Sequence, residues 1–512
     1  MTGPNDVRQM MMRALMRPTG AALIAMLLGT TALRADVTAE EVWQSIADYY
    51  AGVGATVTTG SKEMAGDTLV IRGAEIAAGD GGARLNLRVP ELRLRETGAG
   101  TVEVTAAEKI AGSVEGPRGT GPAAATGFEI TQTGLTVIVS GSAGDMTYDY
   151  EAPSLSVATI GPQAAGQAVA PSLTLAIADG SGKTRMAGTT TRVIDSDAGA
   201  RTMTFEVTQP GTPDAPEAMT TTGTLSDLRM VSGAQVPVGI DLNDMGKAIA
   251  AGYRLDGRVQ FASGNINADV SDASGTTNVQ AGLADGLLTL SMSQAGVQTA
   301  VSTGASRAVV QVPSLPVPAE VGVDGIAMTL ALPDGADGKA GPFTLVQRLS
   351  GLTLSDGIWA MFDPTAALPR DPMSFAFDLS GTTKFARGLY ADRSPGAADT
   401  IPAEIETLTL NELKLSALGA DIAGSGAARI DNGGAQPRPI GAADFEIKGL
   451  NGLFDRLVAM NLVPQDQAMG LRMMMAMFTV PTGEDSARSR IEADEAGDVR
   501  VNGQVLYKFP KP

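Results

Sequence analysis

Cysteine and histidine are both absent from the 512 residues. The first absence excludes disulfides, thiol nucleophiles and thiolate metal sites. The second removes imidazole acid–base chemistry and the commonest metal ligand. An enzyme made from this chain would have to work with Asp, Glu, Tyr, Lys and Ser. Aromatic residues are scarce, at 4%, and basic residues are outnumbered 38 to 56, leaving a net charge of −18. Phosphate backbones and anionic lipid surfaces repel so acidic a body, which argues against nucleic acid as a partner. Long apolar runs are missing too. The stretch from Ala21 to Leu33 is broken by Gly29, Thr30 and Thr31, and it falls short of the roughly 20 residues a membrane-spanning helix needs.

That stretch follows Arg8, Arg13 and Arg17, so residues 1–35 read as a cleavable signal peptide, cut after Ala32 or Ala35. The alternative is an uncleaved anchor in the inner membrane. Loss of the segment removes four arginines and one aspartate and takes the net charge from −18 to −21. With no cysteine to carry a lipid, the expected product is a periplasmic protein.

What is present in quantity is glycine, 62 residues of it, together with alanine, threonine and an apolar–polar alternation of period two. From Asp67 onward, segments such as DTLVIRGAEI, GFEITQTGLTVIVSG and SLTLAIADG alternate between turns, as antiparallel strands do. The fold class expected is mainly β: long twisted antiparallel sheets in two related halves, with a few short helices near 38–51, 242–253 and 451–478. The corresponding organisation is an N-terminal helix and β unit over 36–237, a second β-rich unit over 238–340, and a C-terminal unit over 341–512 ending in a hairpin. Thr38 and Glu41 have the spacing of a capping box, and Trp43, Tyr49 and Tyr50 suit a helix packed on the first strands. In ARLNLRVPELRLRE the apolar phase switches at Pro90, which predicts a bulge or an edge-strand bend. Leu408 and Leu410, followed by Leu413, Leu415 and Leu418, show the same switch. The arginines at 84, 88, 93 and 95 read as the wet face of a half-buried sheet rather than an anion patch.

Few residues suggest chemistry. Asp363 and Asp371 form a carboxylate pair on paper, but Asp before Pro is turn chemistry. Asp494, Glu495 and Asp498 around Gly497 lack the calcium-loop pattern and read as a hairpin turn. No catalytic residue, metal or cofactor is assigned. The C-terminal helices are more suggestive. Leu453, Phe454, Leu457 and Val458 make an apolar face, Pro464 suits the first turn of the next helix, and Ala468, Leu471, Met475 and Phe478 share a side. Methionine makes an adaptable apolar surface. Met469, Met473, Met475, Met477, Phe478 and Phe454 are therefore candidates to line an apolar ligand site, packing beneath the sheet being the alternative.

Four strings (DVTAEEVW, WAMFDPTAALPRDPMSFAFDLSG, GLFDRLVAMNLVPQDQAMGLRMMMAMF and GDVRVNGQVLYKFP) resemble the exported bacterial domain-of-unknown-function family 2125. The resemblance implies export and supplies no catalytic residues. More loosely, a β-rich body with a late helix pair is similar to AsmA-like envelope proteins, which are associated with lipid movement and outer-membrane assembly. The functional expectation is a non-enzymatic envelope protein sheltering a lipid-like ligand or a membrane-protein partner on a curved sheet. The alternatives are a ligand-free scaffold and a carboxylate-based glycan hydrolase.

Overall fold

The computed structural model describes residues 36–510, apart from 53, 80–83, 116–124, 161–170, 212–215, 243, 316, 392–402 and 435. The expected leader and most of the loop expected at 389–400 lie outside the described residues. The protein is mainly antiparallel β, with five short helices among the described residues. Contacts divide the chain into two compact units, Met1–Thr276 and Thr277–Pro512.

In the first unit the strands pair almost strictly in chain order. Thr56–Thr58 and Ser61–Ala65 both lie against Thr68–Ala78, which pairs with Arg84–Glu96. The next two positions in the sheet are each filled by two half-strands. Val102–Ala106 and Lys109–Glu115 take the two ends of Arg84–Glu96. Thr136–Ser142 and Ala125–Thr133 continue from them and meet Asp145–Ile160. Ser172–Ala187, Thr191–Gln209, Ala218–Pro237 and Arg254–Asp272 then follow, each antiparallel to the one before.

A line of irregularities crosses the middle of this sheet. Gly73 sits at φ 61 across from Pro90, in a gap in the pairing, and Gly134 at φ 71 lies against Pro153. Asp179 at φ 51 and Asp227 at φ 54 interrupt two longer strands. Along Asp145–Ile160 the buried positions change phase there: Ala152 is buried, Pro153 and Ser154 are both exposed, and Leu155 is buried again. Two consecutive outward residues mark a break in the alternation, which falls where Pro153 faces Asp179 in a gap in the pairing with the register unchanged on either side. The predicted irregularity at Pro90 is thus a break in the pairing opposite Gly73 across which the register is unchanged, and not a bulge. It is not a bend in an edge strand, because Arg84–Glu96 has partners on both sides.

One half of the sheet is covered. Helix α1, Ala39–Gly52, begins with the expected box: the Thr38 amide and hydroxyl donate to the Glu41 carboxylate at 2.9 and 3.0 Å. Its residues Val42, Trp43, Tyr49 and Tyr50 are buried with Ile71, Leu94, Val104, Val139 and Tyr148 from the strands, none more than 8% exposed. Helix α2, Met245–Ala250, buries Ala248 and Ile249. It is shorter than the 242–253 expected, since the Asp244 carboxylate accepts from the Lys247 amide and caps the helix there.

The second unit has the same scheme. Gly275–Ser293 carries Gly296–Thr303 and Ser306–Gln311 along its length. These meet Gly325–Leu332 and Ala319–Val323, which lead into Gly341–Leu354. Met373–Phe385, Ala403–Ala417, Ala420–Asp431 and Arg438–Lys448 continue the meander into Ser486–Ala493, which forms the expected hairpin with Asp498–Val501, and Gln504–Lys508 adds a last strand. The register slips between Leu410 and Leu413, where the sequence changes phase. Helix α3, Asp356–Phe362, buries Trp359. Helices α4, Leu450–Ala459, and α5, Gln465–Phe478, follow Arg438–Lys448. Pro464 is the residue capping α5, one place before the first turn in which it was expected.

Candidate apolar face

Each unit presents one apolar sheet face that the described residues do not close over. In the half of the first unit away from α1, register aligns Ile130, Val157, Leu175, Phe205, Gly223 and Ile266 on six successive strands. The neighbouring positions Thr174, Thr204, Glu206, Asn265 and Asn267 are exposed, so the alternation is apolar on one side and polar on the other. The large side chains of the row are half-buried, whereas Ile71, Leu94 and Val137 beneath α1 have no exposed surface. A second layer of protein would bring such residues to that level. Here each keeps contact with solvent.

The second unit carries the same pattern further. Leu290, Thr299, Leu330, Leu345, Leu379 and Leu410 form one cross-strand row, all half-buried. Elsewhere along four of these same strands Leu288, Val301, Ile326, Met328 and Leu415 are each 40% exposed or more. Among the described residues, the fully buried apolar side chains of this unit are few: Trp359, Leu368, Phe385, Ala420, Ala468 and Val501.

Both faces share a local device. Phe128 lies opposite Gly112, Phe205 opposite Gly223, Phe343 opposite Gly381 and Phe445 opposite Gly424. A Cβ built on any of these glycines would meet ring atoms of its phenylalanine at under 3.0 Å. The ring therefore lies down across the neighbouring strand, an aromatic covering a glycine. This pairing is visible only in register and was missed in the sequence, where Phe and Gly stand 16 to 38 residues apart.

The residues proposed from sequence divide by location. Met469, Met473 and Met477 are exposed along α5, and Phe454, Met475 and Phe478 are half-buried. Of the side expected to face inward, Ala468 is buried but Leu471 is 40% exposed. The methionine run is thus largely a surface. The α5 side chain Arg472 reaches α4, donating to the Asn451 carbonyl and the Asp455 carboxylate at 3.1 and 2.7 Å.

Asp363 and Asp494 each hold a turn. Asp363 is buried, and its oxygens accept from the Ala367 and Leu368 amides at 2.8 and 3.0 Å. Burial alone would raise its pKa, but these donors and nearby Arg370 outweigh it and hold the carboxyl below its ordinary value. That is the turn predicted for Asp-Pro. Asp494 accepts from the Asp498 amide at 3.0 Å within the hairpin turn, and no metal-holding group of His, Cys, Asp or Glu occurs among the described residues. Arg88 pairs with Glu75, Arg72 with Glu91 and Arg95 with Glu103, all on the solvated face. No family model, curated protein or solved structure matches the chain.

Proposed function

We propose that the protein is a non-enzymatic component of the bacterial envelope that shelters acyl chains of a lipid-like ligand on its open apolar sheet face. The observation that carries this reading is the second unit, where a meander of long strands keeps one face apolar from Leu290 to Leu410 without burying it. Apolar patches of that extent mark binding surfaces. The smoothness given by phenylalanines lying over glycines suits a flexible chain. The net charge of −18 disfavours flat docking on an anionic bilayer, which favours uptake of individual lipids. The signal-like leader and the resemblance to exported envelope proteins point to the periplasm.

The test is native mass spectrometry of the exported protein after gentle purification, with extraction and identification of any adduct. Wild-type protein is expected to carry lipid-sized mass, and Leu345→Asp with Leu379→Asp is expected to lose it while keeping the β circular dichroism of the parent. A consistently ligand-free wild type that also fails to take up a fluorescent fatty acid would overturn the reading and leave a self-sufficient scaffold.

A further inference from the structure

The chain has no sulfur ligand except methionine and no imidazole, yet it gathers thioethers at one exposed place. Four of the seven exposed methionines among the described residues, Met469, Met473, Met474 and Met477, fall within nine positions of α5. Met473 and Met477 are four residues apart and Met474 and Met477 three, the two spacings that stack side chains on a helix surface. The three span about 6 Å along the axis. They are 65%, 52% and 67% exposed, so no packing fixes their rotamers. Each has three rotatable bonds with which to turn its sulfur toward a common point. Arg472, the cation nearest in sequence, is held toward α4 by Asp455 and the Asn451 carbonyl. On the side of the methionines stands Asp466, exposed in the first turn of α5, and its charge favours a cation there.

We propose that Met473, Met474 and Met477 form a three-thioether site for a soft monovalent cation, Cu(I) or Ag(I), with Met469 as a fourth donor one turn away. Thioethers select soft ions, while an oxygen donor such as the Asp466 carboxylate suits hard ones. A packing role alone would not require sulfur, since leucine has the same helix propensity and apolar character. The proposal is independent of the lipid reading, because these side chains lie on α5 and not in the cross-strand rows.

Thioethers do not protonate, so binding should be nearly constant from pH 7 to below the carboxylate range, about pH 4, where a carboxylate site would empty. The experiment is an anaerobic titration of the full chain with Cu(I) against a chromophoric Cu(I) chelator, repeated at both pH values. Wild type is expected to withdraw one equivalent at each. The Met473→Leu/Met474→Leu/Met477→Leu variant, checked by circular dichroism for retained fold, is expected to bind at least about tenfold more weakly. Failure of wild type to compete, retention of affinity by the variant, or loss of binding at low pH would each overturn the site. Methyl resonances of the wild-type methionines supply a reading that needs no variant: Ag(I) should shift a small subset on α5, and uniform or absent shifts would refute the assignment.

Discussion

Substituting Gly223 by alanine should destabilise the first unit, although alanine is the better residue for a strand. On backbone grounds alone the change gains about 0.5–1 kcal/mol, because glycine loses more freedom on folding. The added methyl, however, would meet the Phe205 ring at under 3.0 Å, and on its other side the Asn265 carbonyl stands 3.1 Å away. The ring cannot shift without losing the glycine it covers, and overpacking of this kind costs about 1–3 kcal/mol. The net expectation is a loss of roughly 0.5–2 kcal/mol. Phe205→Val removes the obstacle, so in that background Gly223→Ala should become neutral or stabilising. The chain contains two tryptophans, one in each unit: Trp43 in the α1 core and Trp359 in α3. Replacing Trp359 by phenylalanine leaves Trp43 as the reporter of the first unit during urea unfolding, and the four variants form a double-mutant cycle. A coupling energy below about 0.5 kcal/mol, or a Gly223→Ala protein more stable than its parent, would refute the idea that the ring is pinned over the glycine.

Two further outcomes are expected. Burial raises the Tyr49 hydroxyl from 10.0 to about 12, reinforced by neighbouring Tyr253 and opposed by Arg192, and burial followed by the Asp197 charge likewise raises Tyr150 to about 12. The unfolded chain therefore ionises first as pH rises. The stability these groups contribute is complete below pH 10 and is lost between 10 and about 12, on the order of 2 kcal/mol per hydroxyl. The part of the tyrosinate absorbance that Tyr49→Phe and Tyr150→Phe remove should appear late and together with the Trp43 transition; its early appearance in the folded state would contradict the packing of α1. At the crease, Asp227→Val should cost about 1–2 kcal/mol, because a branched side chain resists positive φ, whereas Asp227→Gly should match or exceed the parent. Equal urea midpoints for the two variants would show that φ 54 at this position is not retained in solution.

The parts legible in the sequence are those set by neighbours in the chain. Alternation identified the strands, the Thr38–Glu41 spacing identified the start of α1, and the phase switches located a break in the pairing at Pro90 and a register shift between Leu410 and Leu413. Other features depend on register. Asp179 and Asp227 carry no local sign that they take positive φ, because the break that demands it is imposed by the strands alongside. The phenylalanine–glycine pairs stay hidden for the same reason. Helix α5 was ambiguous for a different cause. When nearly every side of a helix is apolar, periodicity cannot tell which side meets the protein, and here Ala468 turned inward while Met473 turned out.

The way each unit distributes its large side chains bears on what the open face does. In the first unit the tightly buried apolar and aromatic residues gather under α1, which makes that half the structural anchor. The other half, and most of the second unit, alternates just as strictly but is left without a lid of comparable burial. A sheet needing only to hold its shape would gain by covering such a face with a second layer, as unsheltered apolar strands invite association. The phenylalanines sharpen the point. Standing upright, a ring would divide the face into compartments, but with glycine opposite it can lie across the next strand and add apolar area without height. Four such pairs, two in each unit, keep the surface both apolar and low, which is what the proposed acyl-chain guest would require.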